Sequence, residues 1–387
     1  MYLLFIKDAK YFKGNLLYYL ITFCFFVSLT LIKNEGTALL LILFTATLLI
    51  KVYKGDLKTH ILKLILSSDL ASLILDLLAW GNTDDQTINW LTPPPTANFL
   101  SAKQLLTDLD LVHNSSAHNS SVHNNIAYHQ SKVTELGKKA ATLGLHPRLA
   151  TMLLQAHSVL EKGMACELSA LLSENDIFSN SRSVDIIERL ISLQDYKVNR
   201  KTALQSWPLK AAIVEQVLST TKSLKNNSKL STQASIYSLT ELQNYIGKLL
   251  LLAYPDRLAK RRSVNCGRYQ LANGKGVMLF DDDPLFGSEW LVISDCNAHK
   301  KEGHIFSACA ITIAEVQASL GHLINNQDTY RLDDKKQNII GRRVSSYRSI
   351  TLSSQPLTDI PAEAFQECLN SLLTSEGLKI LDWSAKC

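Results

Sequence analysis

The spacing of apolar residues changes along this 387-residue chain, and the change limits the folds that it can adopt. Between residues 134 and 260, apolar positions recur every three or four residues, which is typical of helices with one buried face. From residue 266 they alternate with polar positions, as in a strand with one buried face. Asn273-Gly274 separates two alternating runs and indicates a β-hairpin. The pattern predicts an α+β chain whose small antiparallel β domain follows a helical region.

Further elements follow from the same periodicities. Pro147 is expected at the first position of a helix, where its missing N–H does no harm. The acidic run 281–283 precedes Pro284, and this composition favours a turn. The other predicted helices are 67–79, 96–109, 183–193, 201–220 and 239–253, and the other predicted strands are 290–294 and 304–313.

Two uncharged apolar stretches, 16–32 and 37–50, lie near the N-terminus and are separated by Lys33-Asn34-Glu35-Gly36. A membrane-spanning helix needs about 20 apolar residues, with about 17 as a lower limit, so their lengths are marginal. Lysines flank the pair on both sides and place both ends in the cytoplasm if the pair inserts. We therefore expect a hydrophobic helical hairpin that anchors the chain to the membrane through residues 16–50. A buried core hairpin is the alternative.

The composition excludes a disordered or fibrous chain, because 46% of residues are hydrophobic and only 19% are charged. A net charge of +5 allows binding of nucleic acid through local patches and not through a global field. Seven cysteines, an odd number without a CxxC pair, indicate a reducing compartment. We therefore expect the body of the protein to be cytoplasmic.

Two groups of residues superficially suggest a metal site. His113, His118 and His123 recur every five residues in a polar tract, but this period does not keep ligands on one helix face, and the composition favours a flexible loop. Cys296, His299, His304 and Cys309 resemble a zinc set, yet His304 and Cys309 would point to opposite faces of one strand. We expect no metal in this chain.

A phosphate-binding loop for ATP is not encoded either. The chain has three Gly-Lys pairs, at 137–138, 247–248 and 274–275. None of them has the upstream glycine and the following Ser or Thr that cradle phosphates and Mg²⁺.

The segment YPDRLAKRR (254–262) concentrates positive charge at the junction of the helical and β regions. Arg257, Lys260, Arg261 and Arg262 outweigh the single Asp256. Two interpretations stay open: a solvated helix end, where cations favour the helix dipole, or a set of phosphate contacts.

Several segments occur in the order of one known family. They are DLASLILDLLAWG (69–81), WLTPPPTANFLSAKQLLTDLDLV (90–112), TELGKKAATLGLHPRLATMLLQA (134–156), ELSALLSENDIF (167–178), LLLLAYPDRLAKRR (249–262), RYQLANGKGVML (268–279) and GLKILDWS (377–384). Together they resemble the region after the motor domains in HrpB-type ATP-dependent helicases of the DEAH-box class.

The resemblance implies a domain order. It comprises a winged-helix-like domain (65–135), a helicase-associated, ratchet-like helical domain (136–262), an OB-like β domain (263–360) and the start of a C-terminal extension (361–387). Two features depart from the family's pattern: the hydrophobic N-terminal segment (1–60) and a low-complexity insertion (113–130) within the winged-helix-like domain.

The resemblance also implies a function. The phosphate-binding loop, DEAH box and arginine finger of the motor domains are absent from this sequence. We therefore expect a truncated or split helicase whose accessory region binds and guides single-stranded RNA or DNA, with a separate motor chain as a further partner. ATP and Mg²⁺ would be cofactors of the motor domains alone. The candidate nucleic-acid-binding residues are Arg148, Arg257, Lys260, Arg261, Arg262, Arg268 and Lys275. The alternative is a membrane-anchored protein-interaction module without a nucleic-acid function.

Overall fold

The computed structural model describes most of the chain after residue 68. The described residues are 69–81, 94–115, 130–179, 183–231, 236–264, 266–297, 302–333, 338–361 and the single positions 363, 366, 370 and 374. The predicted hairpin at 16–50 lies outside them, as do residues 116–129 of the polar tract and the segment 377–384. No helix within the described part is long and apolar enough to cross a membrane.

The chain divides into two compact units. One unit comprises residues 1–70 and 89–100, of which 69–70 and 94–100 are described. The other unit comprises residues 71–88 and 101–387 and contains every site discussed below.

Helices and one strand pair open the described chain. Helix α1 (Ala71–Ala79) is followed by α2 (Thr96–Asp108), the antiparallel strands β1 (Val112–Ser115) and β2 (Gln130–Val133), and α3 (Glu135–Thr142). Gly81 has a φ of +92°, a conformation suited to glycine, just after α1. The prediction of a flexible loop over 113–125 is wrong for its first residues. His113 pairs with Lys132, so backbone hydrogen bonding to β2 overrides the loop-like composition there.

Six helices form the middle of the chain. They are α4 (Pro147–Gln155), α5 (Val159–Ser173), α6 (Ile186–Val198), α7 (Arg200–Ser206), α8 (Ala211–Asn227) and α9 (Leu239–Ala253). The predicted bounds of α9 are confirmed, and Pro147 begins α4 as expected. The single helix predicted over 201–220 is wrong, because the chain is extended at Trp207 and Pro208 and two helices result.

A closed five-stranded barrel follows. Its strands are β3 (Leu258–Arg261), β4 (Arg268–Leu271), β5 (Gly276–Met278), β6 (Trp290–Cys296) and β7 (Glu302–Ala310), in the spatial order β3-β4-β5-β7-β6. All pairings are antiparallel except β5 with β7. The predicted hairpin is confirmed: β4 pairs with β5 around Gly274, whose φ is +86°.

The first barrel strand lies earlier than predicted. The β domain was expected from residue 263, but Pro255–Arg257 form a 3₁₀ turn and β3 begins at Leu258. Of the two interpretations of the basic segment, the solvated helix end is therefore wrong for Lys260 and Arg261, which lie in a strand. Leu258 packs into the core of the helical part, whereas its neighbour Ala259 packs inside the barrel. This segment therefore forms a strand because both of its faces are buried.

A second sheet follows the barrel in the order of the chain. After α10 (Ile313–Leu320), the strands β8 (Asn325–Asp333), β9 (Asn338–Tyr347) and β10 (Ile350–Leu357) form an antiparallel sheet in the order β10-β9-β8. The range 263–360, expected to be one OB-like domain, therefore holds two sheets. Arg348, in the turn between β9 and β10, forms an ion pair with Asp108 of α2 at 2.8 Å.

Each of the three Gly-Lys pairs has a structural reason for its glycine. A Cβ at Gly137 would collide with the Leu111 carbonyl group, and one at Gly247 would lie 2.9 Å from the Ala310 carbonyl oxygen. Gly274 has a positive φ in the β4–β5 turn. Close packing and turn geometry thus account for these glycines without a bound phosphate.

Arg148 joins the start of α4 to the segment that leads into the barrel. Its guanidinium donates two hydrogen bonds to the Asp256 carboxylate, at 2.6 and 3.0 Å, and a third to the Ala253 carbonyl oxygen. Burial alone would raise the pKa of Asp256, but the hydrogen bonds and charge of Arg148 hold this pKa below its usual value. We call this set of contacts the Arg148–Asp256 clasp.

We predict that Asp256→Asn lowers the free energy of unfolding at pH 7 by roughly 3 kcal/mol, because the buried Arg148 loses its charge partner. Since the folded-state pKa of Asp256 is depressed, the contribution of the clasp is present above about pH 4 and is lost as pH falls through the folded-state pKa. Urea denaturation at pH 7 and at acid pH measures both effects.

Asp328→Asn is the matched control, because the Asp328–Arg343 pair is also bidentate but lies on the surface of the β8–β9 strands. Exposed pairs of this kind contribute little, so no measurable change is expected. Equal losses in the two variants would contradict the structural role of the clasp.

Candidate nucleic-acid interface

Two arginines face each other on the outside of the barrel. Arg262 follows β3 and Arg268 begins β4, and the Arg262 backbone N–H donates to the Arg268 carbonyl oxygen at 3.0 Å. Both side chains are exposed, while the adjacent Tyr269 points into the barrel core. Arginine side chains at facing positions of neighbouring strands are close enough for both to contact one phosphate.

The Arg262–Arg268 pair is the first part of a row of facing residues that continues across two further strands. Arg268 is paired with Met278 on β5, and Met278 is paired with His304 on β7. Adjacent strands lie about 4.8 Å apart, so the row from Arg262 to His304 spans about 14 Å of the outer surface. Cationic side chains therefore occupy one end of the row and an imidazole the other.

Two exposed phenylalanines flank the His304 end of the row. The Phe280 ring stacks on the His304 imidazole, with centroids 5.1 Å apart and an interplanar angle of 7°. Phe280 is 49% exposed, and Phe306, two residues after His304 on β7, is 47% exposed. Phenylalanine is usually buried, so two exposed rings at one place mark a candidate contact surface.

A cleft of about 560 Å³ opens between these rings and the chain before α6. Its lining residues are Asp176, Ser183, Val184, Arg189, Phe280, Asp282, Ile305 and Phe306. The Arg189 guanidinium is held by the Asp176 carboxylate, at 3.0 and 2.7 Å, and by the Ser183 and Asp185 carbonyl oxygens. We call this feature the phenylalanine cleft.

Three of the predicted nucleic-acid residues are committed to contacts inside the protein. Arg148 is buried in the clasp, and the Arg257 guanidinium donates to the Ser294 carbonyl oxygen. The two guanidiniums lie 5.0 and 5.1 Å from the centroid of the Tyr254 ring. The Lys260 ammonium donates to the Thr351 carbonyl oxygen at 2.7 Å and lies 4.9 Å from the Trp290 ring. We remove these three residues from the candidate interface.

The structure places the other predicted residues differently. Arg262 and Arg268 are brought together as described. Arg261 is half-buried in the next position of β3, paired with Tyr269 at one end of the barrel. Lys275 is exposed in the β4–β5 turn, about 10 Å along the hairpin from Arg268. The predicted cluster is thus split between the outer surface, the barrel end and the hairpin turn.

Sequence reasoning missed Phe280, His304 and Phe306. A signal existed, because His304 and Phe306 have the same parity in the alternating run 304–313 while Ile305 is the core residue between them. The position of Phe280 next to His304 could not be predicted from the sequence, because it depends on the parallel pairing of β5 with β7.

Asp185 lies beside the cleft and caps α6, where its carboxylate accepts a hydrogen bond from the Ile187 N–H at 2.9 Å. Burial raises the pKa of Asp185 to about 6, and the negative charges of Glu188 and Asp283 add to the rise. Its negative charge at neutral pH is therefore a cost to the folded state.

Comparison with known proteins shows which proteins this chain is similar to. No family model matches the chain. Two solved structures match with a TM-score of 0.59: the Escherichia coli DExH-box NTPase HrpB at 28% identity and the Escherichia coli DEAH/RHA helicase HrpB at 27%. Each match covers 83% of this chain, and they cover 34% and 35% of the solved chains. The fold is thus similar to that of part of each of these two solved proteins.

A curated protein is similar over the same share of the chain. The chain is 28% identical over 324 residues to the ATP-dependent RNA helicase HrpB of Escherichia coli (strain K12), a match that covers 83% of this chain and 34% of the relative. This homology confirms the resemblance to HrpB-type helicases and is consistent with a C-terminal region of such a protein. The chain spans about a third of the length of the relatives it matches.

We predict that Asp185→Asn stabilises the protein at neutral pH by roughly 1–3 kcal/mol, because asparagine keeps the helix cap and removes the buried charge. The folded-state pKa is raised, so the stability linked to Asp185 is present below about pH 4 and is lost as pH rises through about 6. Thermal unfolding of both proteins between pH 4 and pH 7 measures this.

Asp185→Ala is the control, because alanine removes the cap together with the charge. A stability difference between the wild type and Asp185→Asn that is the same at pH 4 and pH 7 would contradict the titration of this group.

Proposed function

We propose that this chain is the accessory region of an HrpB-type helicase and that it binds and guides a single strand of RNA or DNA. The observation that carries the proposal is the exposed Arg262–Arg268 pair on the outside of the barrel, with exposed aromatic rings about 10 Å away across the sheet. Single-strand-binding surfaces combine cations that follow the phosphates with rings on which bases stack. The homology to HrpB supports the same function independently.

The fold of each part supports this assignment. Five strands closed in the order β3-β4-β5-β7-β6 are what an OB-like barrel requires, and barrels of that kind bind oligonucleotides on their outer strands. Helices α1 to α3 with the β1–β2 pair fit a winged-helix-like domain at 65–135. Helices α4 to α9 fit the ratchet-like domain, with its boundary moved from residue 262 to about 257 because β3 starts at Leu258.

ATP-driven unwinding belongs to the whole helicase in this proposal. The region spans about a third of its relatives, so ATP and Mg²⁺ are assigned to motor domains elsewhere in the protein or in a separate chain. We place the accessory region in the cytoplasm, in keeping with the absence of disulfides at Cys166, Cys266, Cys296 and Cys309 in the described part of the chain.

We predict that Arg262→Ala combined with Arg268→Ala weakens binding to a labelled single strand and lowers its salt slope by about 1.4, since each phosphate contact on a single strand contributes about 0.7. Fluorescence anisotropy over a series of salt concentrations measures the slope.

Arg343→Ala is the matched control, because Arg343 is exposed but is paired with Asp328 on another sheet. Its salt slope should equal that of the wild type. An unchanged slope in the double variant would show that the arginine pair makes no phosphate contacts.

We further predict that the purified chain neither binds nor hydrolyses ATP. Binding requires a glycine-rich loop, a lysine on the β- and γ-phosphates and a Ser or Thr on Mg²⁺, and none of the Gly-Lys pairs offers that set. Phosphate release with and without a single strand is the measurement. Strand-stimulated release that disappears in Lys275→Ala would refute the prediction.

A further inference from the structure

The phenylalanine cleft exposes aromatic surface that the barrel does not need for its own packing. The barrel core is built from inward residues such as Tyr269, Val277 and Ile305, whereas Phe280 and Phe306 lie outside it. His304 covers one face of Phe280 by stacking and so restrains the ring. A restrained and half-exposed ring loses little conformational entropy when a planar ligand stacks on it.

The charges of the cleft select against a phosphate. Asp176 and Asp282 line it, and the positive charge of Arg189 is compensated by the bidentate pair with Asp176. Burial alone would raise the pKa of Asp176, but its hydrogen bonds with Arg189 hold the pKa below its usual value, so the carboxylate is charged at neutral pH. The charges of this lining therefore favour an uncharged planar ligand over an anion.

The dimensions of the cleft also suit a base. A volume of about 560 Å³ lies within the range of small-molecule sites, which are about 300–1,000 Å³. Phe306 lies two strands away from Arg268, about 10 Å across the sheet, and a short way further along β7. The mouth of the cleft is therefore within reach of a single strand whose phosphates contact the arginine pair.

We propose that the phenylalanine cleft is a base-stacking site that accepts one unstacked nucleobase of the bound single strand. The inference rests on the proposed strand binding and adds to it a second contact of different chemistry. The arginine pair holds the backbone through charge, whereas Phe280 and Phe306 hold a base through its π-face. Since every base has such a face, this contact is tolerant of sequence.

The test uses the full chain and a labelled twelve-nucleotide oligouridine. Combining Phe280→Ala with Phe306→Ala should weaken binding by at least about five-fold, as stacking contacts of this type do, and leave the salt slope at the wild-type value. Trp80→Ala is the matched control, because Trp80 is an aromatic residue that is 84% exposed and lies outside the cleft. Its affinity should equal that of the wild type.

A second strand separates stacking from an indirect effect on folding. An oligomer of the same length with abasic sugars keeps the phosphates and removes the bases, so the wild type and the double phenylalanine variant should bind it equally. Phe280→Leu with Phe306→Leu, which keeps apolar volume without a ring, should bind oligouridine as weakly as the alanine variant.

The outcomes distinguish the two proposals. Salt-dependent binding that is unaltered in the double phenylalanine variant overturns the stacking site and leaves the strand-binding function intact. A loss of affinity that persists on the abasic strand also overturns the stacking site. Absence of any salt-dependent binding by the wild type overturns the proposed function and, with it, this inference.

Discussion

The junction between helices and barrel depends on one buried charge pair, the Arg148–Asp256 clasp. Asp256 lies two residues before β3, so its position determines where the first barrel strand begins. Arg148 also donates a hydrogen bond to the Ala253 carbonyl oxygen. This oxygen lies at the end of α9, where carbonyl groups lack a partner within the helix. The guanidiniums of Arg148 and Arg257 both lie about 5 Å from the centroid of the Tyr254 ring. Three residues of the junction, Ala253, Tyr254 and Asp256, are therefore held by contacts with these arginines.

A shared hydrophobic core follows from this junction. One buried cluster contains residues from all three regions: Leu149 and Leu250 of the helices, Val292 of the barrel and Tyr347 of the last sheet. The barrel interior forms a second cluster of its own, which includes Tyr269 and Ile293. Strands β3 and β6 therefore carry two apolar faces, one for each cluster. The helical and β regions are distinct in secondary structure, yet the shared cluster packs them against each other. Arg262 and Arg268 therefore lie on the surface of a barrel that is buried against the helices on one side.

The sequence predicted what local periodicity controls and missed what tertiary packing controls. Helix α9 and the Asn273–Gly274 hairpin were readable because their periodicity and turn residues are local. Strand β3 was not, since four residues ending in Lys-Arg show no alternation and their burial comes from partners far along the chain. For the candidate site, the run of basic residues indicated the segment that holds Arg262. It could not tell the inward Arg257 from the outward Arg262, because direction depends on neighbours such as Ser294 that are distant in sequence.

The parallel pairing of β5 with β7 has a consequence for how the chain acquires its structure. In the barrel β7 lies between β5 and β6, although it is the last of the five strands to emerge in the order of the chain. The β4–β5 hairpin can form early from near neighbours, but the barrel can close only when residues 302–310 are present. Pairings between residues distant in sequence slow folding, because the loop between them must first be closed. Until then, the row that ends in His304 and the ring pair beside it does not exist, so the surface becomes complete in the same step as the barrel.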